Sequence, residues 1–409
     1  MPPFPLVLPS LLGHWGQYVV ALVIGFAFGY VLESAGFGNS AKLAGQFYFR
    51  DLTVLKVMFG AIVTAMVLIF AATGLGLLDF NAVWVNPTYI WPGIVGGLIM
   101  GVGFIIGGFC PGTSLVSMAT FKIDGLFFVL GGLFGIFLFG ETVDSFAAFW
   151  NSSYLGRVTI PEFFGLPVGV VGLAIVLMAL FMFWGAEQLE RLVGKRDLSR
   201  EPRGRYAGAG ALALGAVALI LIGQPTTADK WQALEPVKAP LLAQRAVQIH
   251  PGELLDTLHN DALKVIMLDV RSEADYNLFH IAGARQVTLA SLPALIPSLA
   301  LEPQNTIIVT MSNDEGAATE AWKMLTAESA PNVYILEGGI NHWLATFAPV
   351  DPTLRPAAAL GGDRLAYAFK SALGAGSPAA TPDPHTFKFQ YTPKIQLKLK
   401  RGPTGGGCG

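Results

Sequence analysis

One cysteine lies at a point where a membrane-spanning helix is interrupted. The run from Trp91 to Glu141 is apolar, but Gly107-Gly108-Phe109-Cys110-Pro111-Gly112-Thr113-Ser114 places small residues, a thiol, a proline and two hydroxyls inside it. Such a break is stable within a bilayer only if it is buried in protein or lines a cavity. Because a thiol there can exchange hydrogen bonds or sulfur with a sulfur anion, the stretch predicts a sulfur-handling site in a transport pathway.

The helix expected to follow the break adds to this interpretation. Its first backbone N–H groups, on Gly112, Thr113 and Ser114, lack partners within the helix, and such a terminus attracts anions. The alternative is that Cys110 is a small buried hydrophobic residue at a tight helix crossing, which is the usual role of a free cysteine. The Gly-Gly and Pro-Gly pairs that flank the thiol favour the functional interpretation.

A second group of candidate residues lies near the end of the first span. Glu33 is a carboxylate inside an apolar run, where a charge is costly and usually functional. Snorkelling to the membrane edge and pairing with Lys42 are the alternatives for this residue. Gly38, Asn39 and Ser40 follow, and we expect Asn39 and Ser40 to cap a short helix at a position open to substrate.

The other cysteine, Cys408, follows a Gly-Gly-Gly stem in the last residues of the sequence. Glycine-rich segments are flexible and reach far. We predict that Cys408 carries sulfur on a swinging arm, and the alternative is an incidental cysteine in a disordered tail.

Composition separates a membrane half from a soluble half. Charged residues make up only 13% of the chain, against about a quarter in soluble proteins. Six apolar segments are long enough to span a membrane. They are Gln17 to Gly36, Leu52 to Leu75, Trp91 to Phe109, Asp124 to Gly140, Leu166 to Trp184 and Tyr206 to Gln224. The net charge of -2 indicates nothing about nucleic acid, no basic aromatic surface is visible, and no nucleic-acid partner is expected.

The membrane half contains an internal repeat. A shift of 72 residues places Gly36-Phe37 on Gly108-Phe109. The same shift places Gly38 on Cys110. Repeats with broken helices at matching positions indicate the binding site of a transporter.

Positive charge predicts the orientation. Six Lys or Arg residues lie between Arg191 and Arg205, and the positive-inside rule puts that loop in the cytoplasm. We therefore expect a multi-pass protein of the cell inner (plasma) membrane, with everything after Gln224 on the extracytoplasmic side.

The rest of the chain has a different pattern. Short β-branched runs alternate with amphipathic helices, which predicts an α/β domain, and a later period-two alternation around Thr392-Pro393 predicts a β-hairpin. The expected organisation is a transmembrane domain (1–224), a linker (225–245), the α/β domain (246–348), a Pro/Ala/Gly-rich linker (349–384), and a β-hairpin with a Gly-rich Cys tail (385–409).

Residues 17–141 resemble a known transporter family. Gly25-Phe26-x2-Gly29-x3-Glu33-x3-Phe37-Gly38-Asn39 through Phe49-Arg50-Asp51, together with Gly107 to Thr113, look like the YeeE/YedE family of sulfur-compound transporters. The resemblance implies thiosulfate uptake through a pathway with cysteines at its constrictions, and Cys110 as the relay thiol. Gly38 stands at the equivalent position in the first repeat, so a single-thiol constriction is expected.

The α/β domain resembles the rhodanese-like domain over its whole length. The motifs are Leu268-Asp269-Val270-Arg271, Glu273, His280-Ile281-Ala282-Gly283-Ala284, Glu337-Gly338-Gly339-Ile340 and Trp343. Where that family carries a persulfide-forming cysteine, this chain has Met311-Ser312-Asn313-Asp314-Glu315-Gly316. Sulfur transfer needs a thiolate, so no catalytic role is expected and Asp269 and His280 are interpreted as structural. The chain's last residues resemble the Gly-Gly-Cys-Gly-Gly arm of the sulfur carrier SoxY.

These features together predict membrane transport of a small sulfur species, either thiosulfate, sulfide or persulfide sulfur. No enzyme activity, cofactor or metal is expected. The expected partners are the membrane, a small sulfur anion, a sulfur-carrier or sulfur-metabolising protein, and a second copy of the chain. Two alternatives remain, namely a non-transporting subunit of a sulfur-metabolising membrane complex and a sulfurtransferase that uses Cys408.

Overall fold

The computed structural model describes residues 3–6, 8–195, 204–299, 301–303, 305–348, 355–356, 363–369 and 371–397. The chain divides between Gln224 and Pro225 into two compact units. Cys408 lies outside the described residues, so its predicted role as a sulfur carrier stays a prediction.

The first unit is built from helices. In chain order they are α1 (Leu8–Ser34), α2 (Ser40–Ala44), α3 (Thr53–Gly74), α4 (Ile90–Gly107), α5 (Pro111–Ala119), α6 (Ile123–Thr142), α7 (Ala147–Trp150), α8 (Ile160–Phe164), α9 (Val168–Leu192) and α10 (Gly204–Ile222). Two short strands, β1 (Thr88–Tyr89) and β2 (Tyr154–Gly156), pair in antiparallel orientation.

Six segments among the described residues are long and apolar enough to cross a membrane. They are Trp15–Ser34, Thr53–Gly74, Ile90–Ala119, Ile123–Trp150, Val168–Leu192 and Gly204–Ile222. The outer faces of α4 and α6 expose large apolar side chains such as Ile99 and Phe134, which is favourable in lipid and unfavourable in water. The six-span prediction is confirmed.

Three of the long helices, α3, α9 and α10, pack against one another. Their shared core contains small and β-branched residues, including Val63, Val176 and Ala216. A Cβ on Gly169 of α9 would lie 2.9 Å from the Cα of Ile220 on α10. Small residues at such crossings let backbones approach closely, which strengthens packing between helices in a membrane.

The second unit contains a five-stranded parallel sheet. Its strands are β3 (Gln248–Ile249), β4 (Lys264–Asp269), β5 (Arg285–Gln286), β6 (Thr306–Met311) and β7 (Val333–Leu336), in the spatial order β3-β7-β6-β4-β5. The helices are α11 (Thr227–Ala243), α12 (Pro251–Leu258), α13 (Glu273–Leu278), α14 (Leu292–Leu299), α15 (Gly316–Ala327) and α16 (Gly339–Phe347). An antiparallel pair, β8 (Arg355–Pro356) and β9 (Tyr367–Ala368), follows. The predicted α/β domain is confirmed, with one hydrophobic cluster around Trp343 and another around Trp322.

Residues 227–243, which the sequence analysis assigned to a linker, form helix α11 instead. Thr226 and Asp229 form a capping box at its start, and Trp231 packs edge-on against Trp322 with ring centroids 5.9 Å apart. Two prolines lie inside the helix and weaken the local helical signal, because proline removes a backbone donor. Contacts with α15 hold the segment in place.

The C-terminal segments also differ from the prediction. Residues 385–397 form no strand, so the predicted β-hairpin is absent from this described part of the tail. The backbone N–H groups of Lys394 and Ile395 donate instead to Glu253 Oε1, at 2.7 and 2.8 Å. Part of the predicted 349–384 linker is packed as well, since Ala379 is buried and its carbonyl accepts the Trp343 indole N–H at 2.8 Å.

Candidate functional site

The two predicted helix breaks contact each other. Phe37 in the first break and Phe109 in the second are both fully buried in one cluster. Gly108 has a φ of 68°, and a Cβ there would lie 2.9 Å from the carbonyl oxygen of Ser40. Glycine is required at this point both by the backbone conformation and by the close approach. The internal repeat therefore brings its two irregular segments together.

Cys110 is the N-cap residue of α5. The Thr113 backbone N–H donates to the Cys110 Sγ at 3.4 Å, and the Thr113 hydroxyl lies 3.2 Å from the same sulfur. In return, the Cys110 backbone N–H donates to Thr113 Oγ1 at 3.0 Å. This reciprocal arrangement orients the half-buried thiol and surrounds it with polar groups. The Thr113 N–H and hydroxyl therefore hold the sulfur at the first turn of α5.

The rest of the second break forms the first turn of α5. Pro111 occupies its first position, and the Ser114 hydroxyl donates to the Pro111 carbonyl at 2.8 Å. Thr113 and Ser114 are buried, whereas Gly112 is half-buried and has open space where a side chain would project. The side of the break that carries Thr113 and Ser114 is therefore packed against protein, whereas the space beside Gly112 is open.

Glu33 pairs with Lys122, the N-cap residue of α6. The distance from Lys122 Nζ to Glu33 Oε1 is 3.1 Å. The alternative of pairing with Lys42 is wrong, because Lys42 Nζ donates to the Ala35 carbonyl at 2.6 Å. The pair lies directly against Gly38, where a Cβ would be 2.3 Å from Glu33 Oε2 and 2.9 Å from Lys122 Nζ.

Asn39 and Ser40 begin the short helix α2, as the sequence predicts. The Asn39 side-chain oxygen accepts the backbone N–H groups of Ala41 and Lys42, at 3.0 and 3.4 Å. The Ser40 hydroxyl donates to Asp124 Oδ2 at 3.2 Å, which connects the first break to α6.

Sequence reasoning missed a buried carboxylate in the membrane unit. Glu190 accepts the Leu52 backbone N–H at 2.6 Å and pairs with Lys56 at 2.7 Å. The apolar run predicts a fifth span that ends at Trp184, whereas α9 continues to Leu192. A carboxylate on the extended apolar helix was the signal that could have revealed this connection between α9 and the start of α3.

In the second unit, a carboxylate of the chain itself binds the loop between β6 and α15. Asp363 accepts the Asp314 N–H at 2.9 Å through Oδ1 and the Ala317 N–H at 2.8 Å through Oδ2. Burial acts to raise the pKa of Asp363, but the two N–H donors, together with side-chain hydrogen bonds with Ser312 and Asp314, outweigh it and hold the pKa below its usual value. This is the loop in which the rhodanese resemblance places that family's persulfide-forming cysteine.

The other motif residues of this unit have structural contacts. Asp269 and Arg271 are buried and pair at 2.6 Å, and Arg271 also donates to the Phe279 carbonyl at 2.7 Å. His280 stacks on Tyr276 with ring centroids 3.8 Å apart. Asp269 and His280 therefore make contacts that stabilise the fold of the domain, in agreement with their interpretation as structural residues.

A protein-family model described as sulphur transport matches residues 34–240, which include both helix breaks. The chain belongs to the sulphur transport family. A second family model, the rhodanese-like domain, matches residues 250–346. No curated protein and no solved structure matches the chain.

This sulphur transport family protein is therefore a multi-pass membrane protein with a rhodanese-like domain fused to it. The YeeE/YedE resemblance and the rhodanese resemblance are both confirmed. The family is one of transporters, so sulfur-related membrane transport is the general activity of the chain.

Proposed function

We propose that this protein moves a small sulfur species, thiosulfate, sulfide or persulfide sulfur, across the inner membrane through a pathway constricted at Cys110. The observation that carries the proposal is the position of the thiol. Cys110 caps a helix at the place where the two breaks of the repeat meet, with the Thr113 backbone N–H donating to its sulfur. A substrate sulfur there can form a transient contact with the thiol.

The residues around Cys110 supply complementary groups. In this proposal Pro111, Gly112, Thr113 and Ser114 form the helix N-terminus that attracts the negative charge of the substrate. Gly38, Asn39, Ser40 and Glu33 form the facing side of the pathway. Both sides come from matching positions of an internal repeat, the usual construction of a transporter's binding site.

The rhodanese-like domain acts in this proposal as a docking and presentation module, and the protein is not an enzyme. The loop after β6 has no cysteine, and Asp363 occupies two of its N–H donors. The positive residues between α9 and α10 favour an extracytoplasmic position for this domain. Cys408 would then collect or present sulfur at the outer mouth, and a sulfur-carrier protein is the partner that fits this role.

Uptake of labelled thiosulfate into proteoliposomes tests the role of Cys110. We expect Cys110→Ala to reduce uptake to the level of empty vesicles, because alanine keeps the backbone but removes the sulfur. Thr120→Ala is the matched control, since it removes a hydroxyl at the other end of α5 and should leave uptake unchanged. Unchanged uptake by a correctly folded Cys110→Ala protein would contradict the proposal.

Two further measurements test the soluble part. After exposure to thiosulfate or polysulfide, mass spectrometry should show a persulfide on Cys408, formed when the thiolate takes the sulfane sulfur, the S–S bond of the donor breaks, and sulfite or a shortened polysulfide leaves. An unmodified thiol counts against its carrier role. The purified protein should form no thiocyanate from thiosulfate and cyanide, and turnover that disappears in Cys408→Ser would show a sulfurtransferase instead.

A further inference from the structure

The ion pair between Glu33 and Lys122 is only partly satisfied. Lys122 Nζ lies 3.1 Å from Glu33 Oε1, while Glu33 Oε2 is shielded from solvent and has no hydrogen-bond partner among the described residues. A shielded carboxylate oxygen without a partner loses hydration and receives nothing in return. The resting pair is therefore weaker than a fully hydrogen-bonded one, and the lysine is available to a better acceptor.

The pair occupies the position that corresponds to the thiol in the other repeat. Gly38 is the counterpart of Cys110, and a side chain at Gly38 would collide with both members of the pair. The first break thus presents a charge pair where the second presents sulfur. The charge pair and the thiol both lie near the contact between the breaks. Gly108 lies against Ser40, and the Ser40 hydroxyl donates to Asp124 at the start of α6.

We propose that Lys122 is the anion-binding cation of the pathway and that Glu33 is its resting counter-ion, which the substrate anion replaces. This inference rests on the proposed function and narrows its substrate to an anionic sulfur species, such as thiosulfate, rather than neutral hydrogen sulfide. An ammonium group has three donors and suits a small anion that arrives without a fixed orientation.

In this proposal the substrate and Glu33 compete for the Lys122 ammonium, and this competition allows the anion to be released. A lone lysine at a constriction would hold an anion too tightly to release it. A tethered carboxylate competes for the same ammonium, so that binding is strong enough for entry and weak enough for exit. Lys42, by contrast, is engaged by the Ala35 carbonyl and lies 5.6 Å from the centroid of the Phe37 ring.

Substitutions of Lys122 and Glu33 should change the affinity for thiosulfate in opposite directions, which tests the proposal. In proteoliposomes, Lys122→Met should raise the KM for labelled thiosulfate at least about tenfold, since a charge-assisted contact is lost. Glu33→Gln should lower the KM several-fold and also lower the maximal rate, since release becomes slow. Lys42→Met is the control and should keep the KM of the unmodified protein.

A structural role for the pair predicts a different result. If the pair only joins α1 to α6, both substitutions break the same link and should impair transport in the same direction, which would overturn the proposal. An unchanged KM in Lys122→Met would also overturn it, while leaving the role of Cys110 intact. Uptake of sulfide without uptake of thiosulfate by the unmodified protein would overturn the inference alone, whereas failure to take up thiosulfate, sulfide and persulfide sulfur would overturn the proposed function as well.

Binding can be followed without transport if a variant reconstitutes poorly. In detergent, thiosulfate should raise the melting temperature of the unmodified protein and of Glu33→Gln, but not that of Lys122→Met. Equal thiosulfate-induced shifts in all three proteins would overturn the assignment of Lys122.

Discussion

Removal of the Asp363 carboxylate is expected to release the loop between β6 and α15. Asp363 accepts two backbone N–H groups of that loop, at 2.9 and 2.8 Å. Asp363→Ala leaves both donors without their acceptor and removes the side-chain contact of this segment with the start of α15. Asp363→Asn keeps one acceptor oxygen but replaces the other with a donor that faces an N–H group.

The magnitude follows from the number and type of hydrogen bonds. A hydrogen bond to a charged group contributes about 1.5–3 kcal/mol, and two of them set an upper limit of roughly 6 kcal/mol. Asp363 is only half-buried, and water replaces part of the interaction. We therefore expect Asp363→Ala to lower the local opening free energy of the loop by about 2–3 kcal/mol, and Asp363→Asn to lower it by about 1–2 kcal/mol.

Amide hydrogen exchange of the full chain in detergent is the appropriate assay, because it reports opening region by region. Peptides that cover residues 312–318 should exchange faster in both variants, while peptides from β4 should not change. Asp261→Asn removes a charge from an exposed turn of the same unit and serves as the control. Unchanged protection of residues 312–318 in Asp363→Ala would show that the Asp363 carboxylate does not hold this loop.

The same contact predicts a dependence on pH. Because the pKa of Asp363 is lower in the folded protein than in the unfolded chain, the unfolded state binds more protons in acid. The stabilisation is complete at neutral pH and is lost as the pH falls through the folded pKa. Loop protection, corrected for intrinsic exchange, should decrease on acidification in the unmodified protein and change less in Asp363→Asn.

Three further substitutions test the framework around the sites. Arg271→Ala leaves the fully buried Asp269 without its counter-ion and should destabilise the rhodanese-like domain by about 3–5 kcal/mol in urea unfolding; a loss below about 1 kcal/mol would contradict the buried-pair interpretation. Glu190→Ala should lower the melting temperature in detergent more than Glu190→Gln, whose amide oxygen can still accept from α3, and equal melting temperatures would count against that contact. Gly339→Ala introduces a Cβ 2.0 Å from a carbonyl oxygen at a φ of +61°; we expect a loss of at least about 1–3 kcal/mol in unfolding experiments, whereas Gly376→Ala, in open space, should have almost no effect.

Features that depend on local sequence were predictable. The six spans follow from runs of apolar residues, and the alternation of short β-branched runs with helices identifies the α/β domain. The helix starts at Asn39 and Cys110 follow from residue types that can cap or break a helix, and both are confirmed. Each of these signals lies within a single stretch of chain.

Features that depend on distant partners were not predictable. Lys42 is the nearer cation in sequence, yet Glu33 pairs with Lys122, 89 residues away. Residues 227–243 contain two prolines and resemble a linker, but packing against α15 makes them a helix. The period-two pattern after His385 indicates a hairpin, but Glu253 accepts the Lys394 and Ile395 N–H groups, and the described residues 385–397 form no strand.

The family, the membrane spans, the internal repeat and the presence of a thiol at a helix break all follow from the amino-acid sequence alone. Three features are visible only in the folded chain: the two breaks touch, an ion pair fills the space beside Gly38, and Asp363 binds the loop after β6. The physical reason is that composition and periodicity act within one segment. The partner of a buried charge or an unpaired backbone group is set by how separate segments pack.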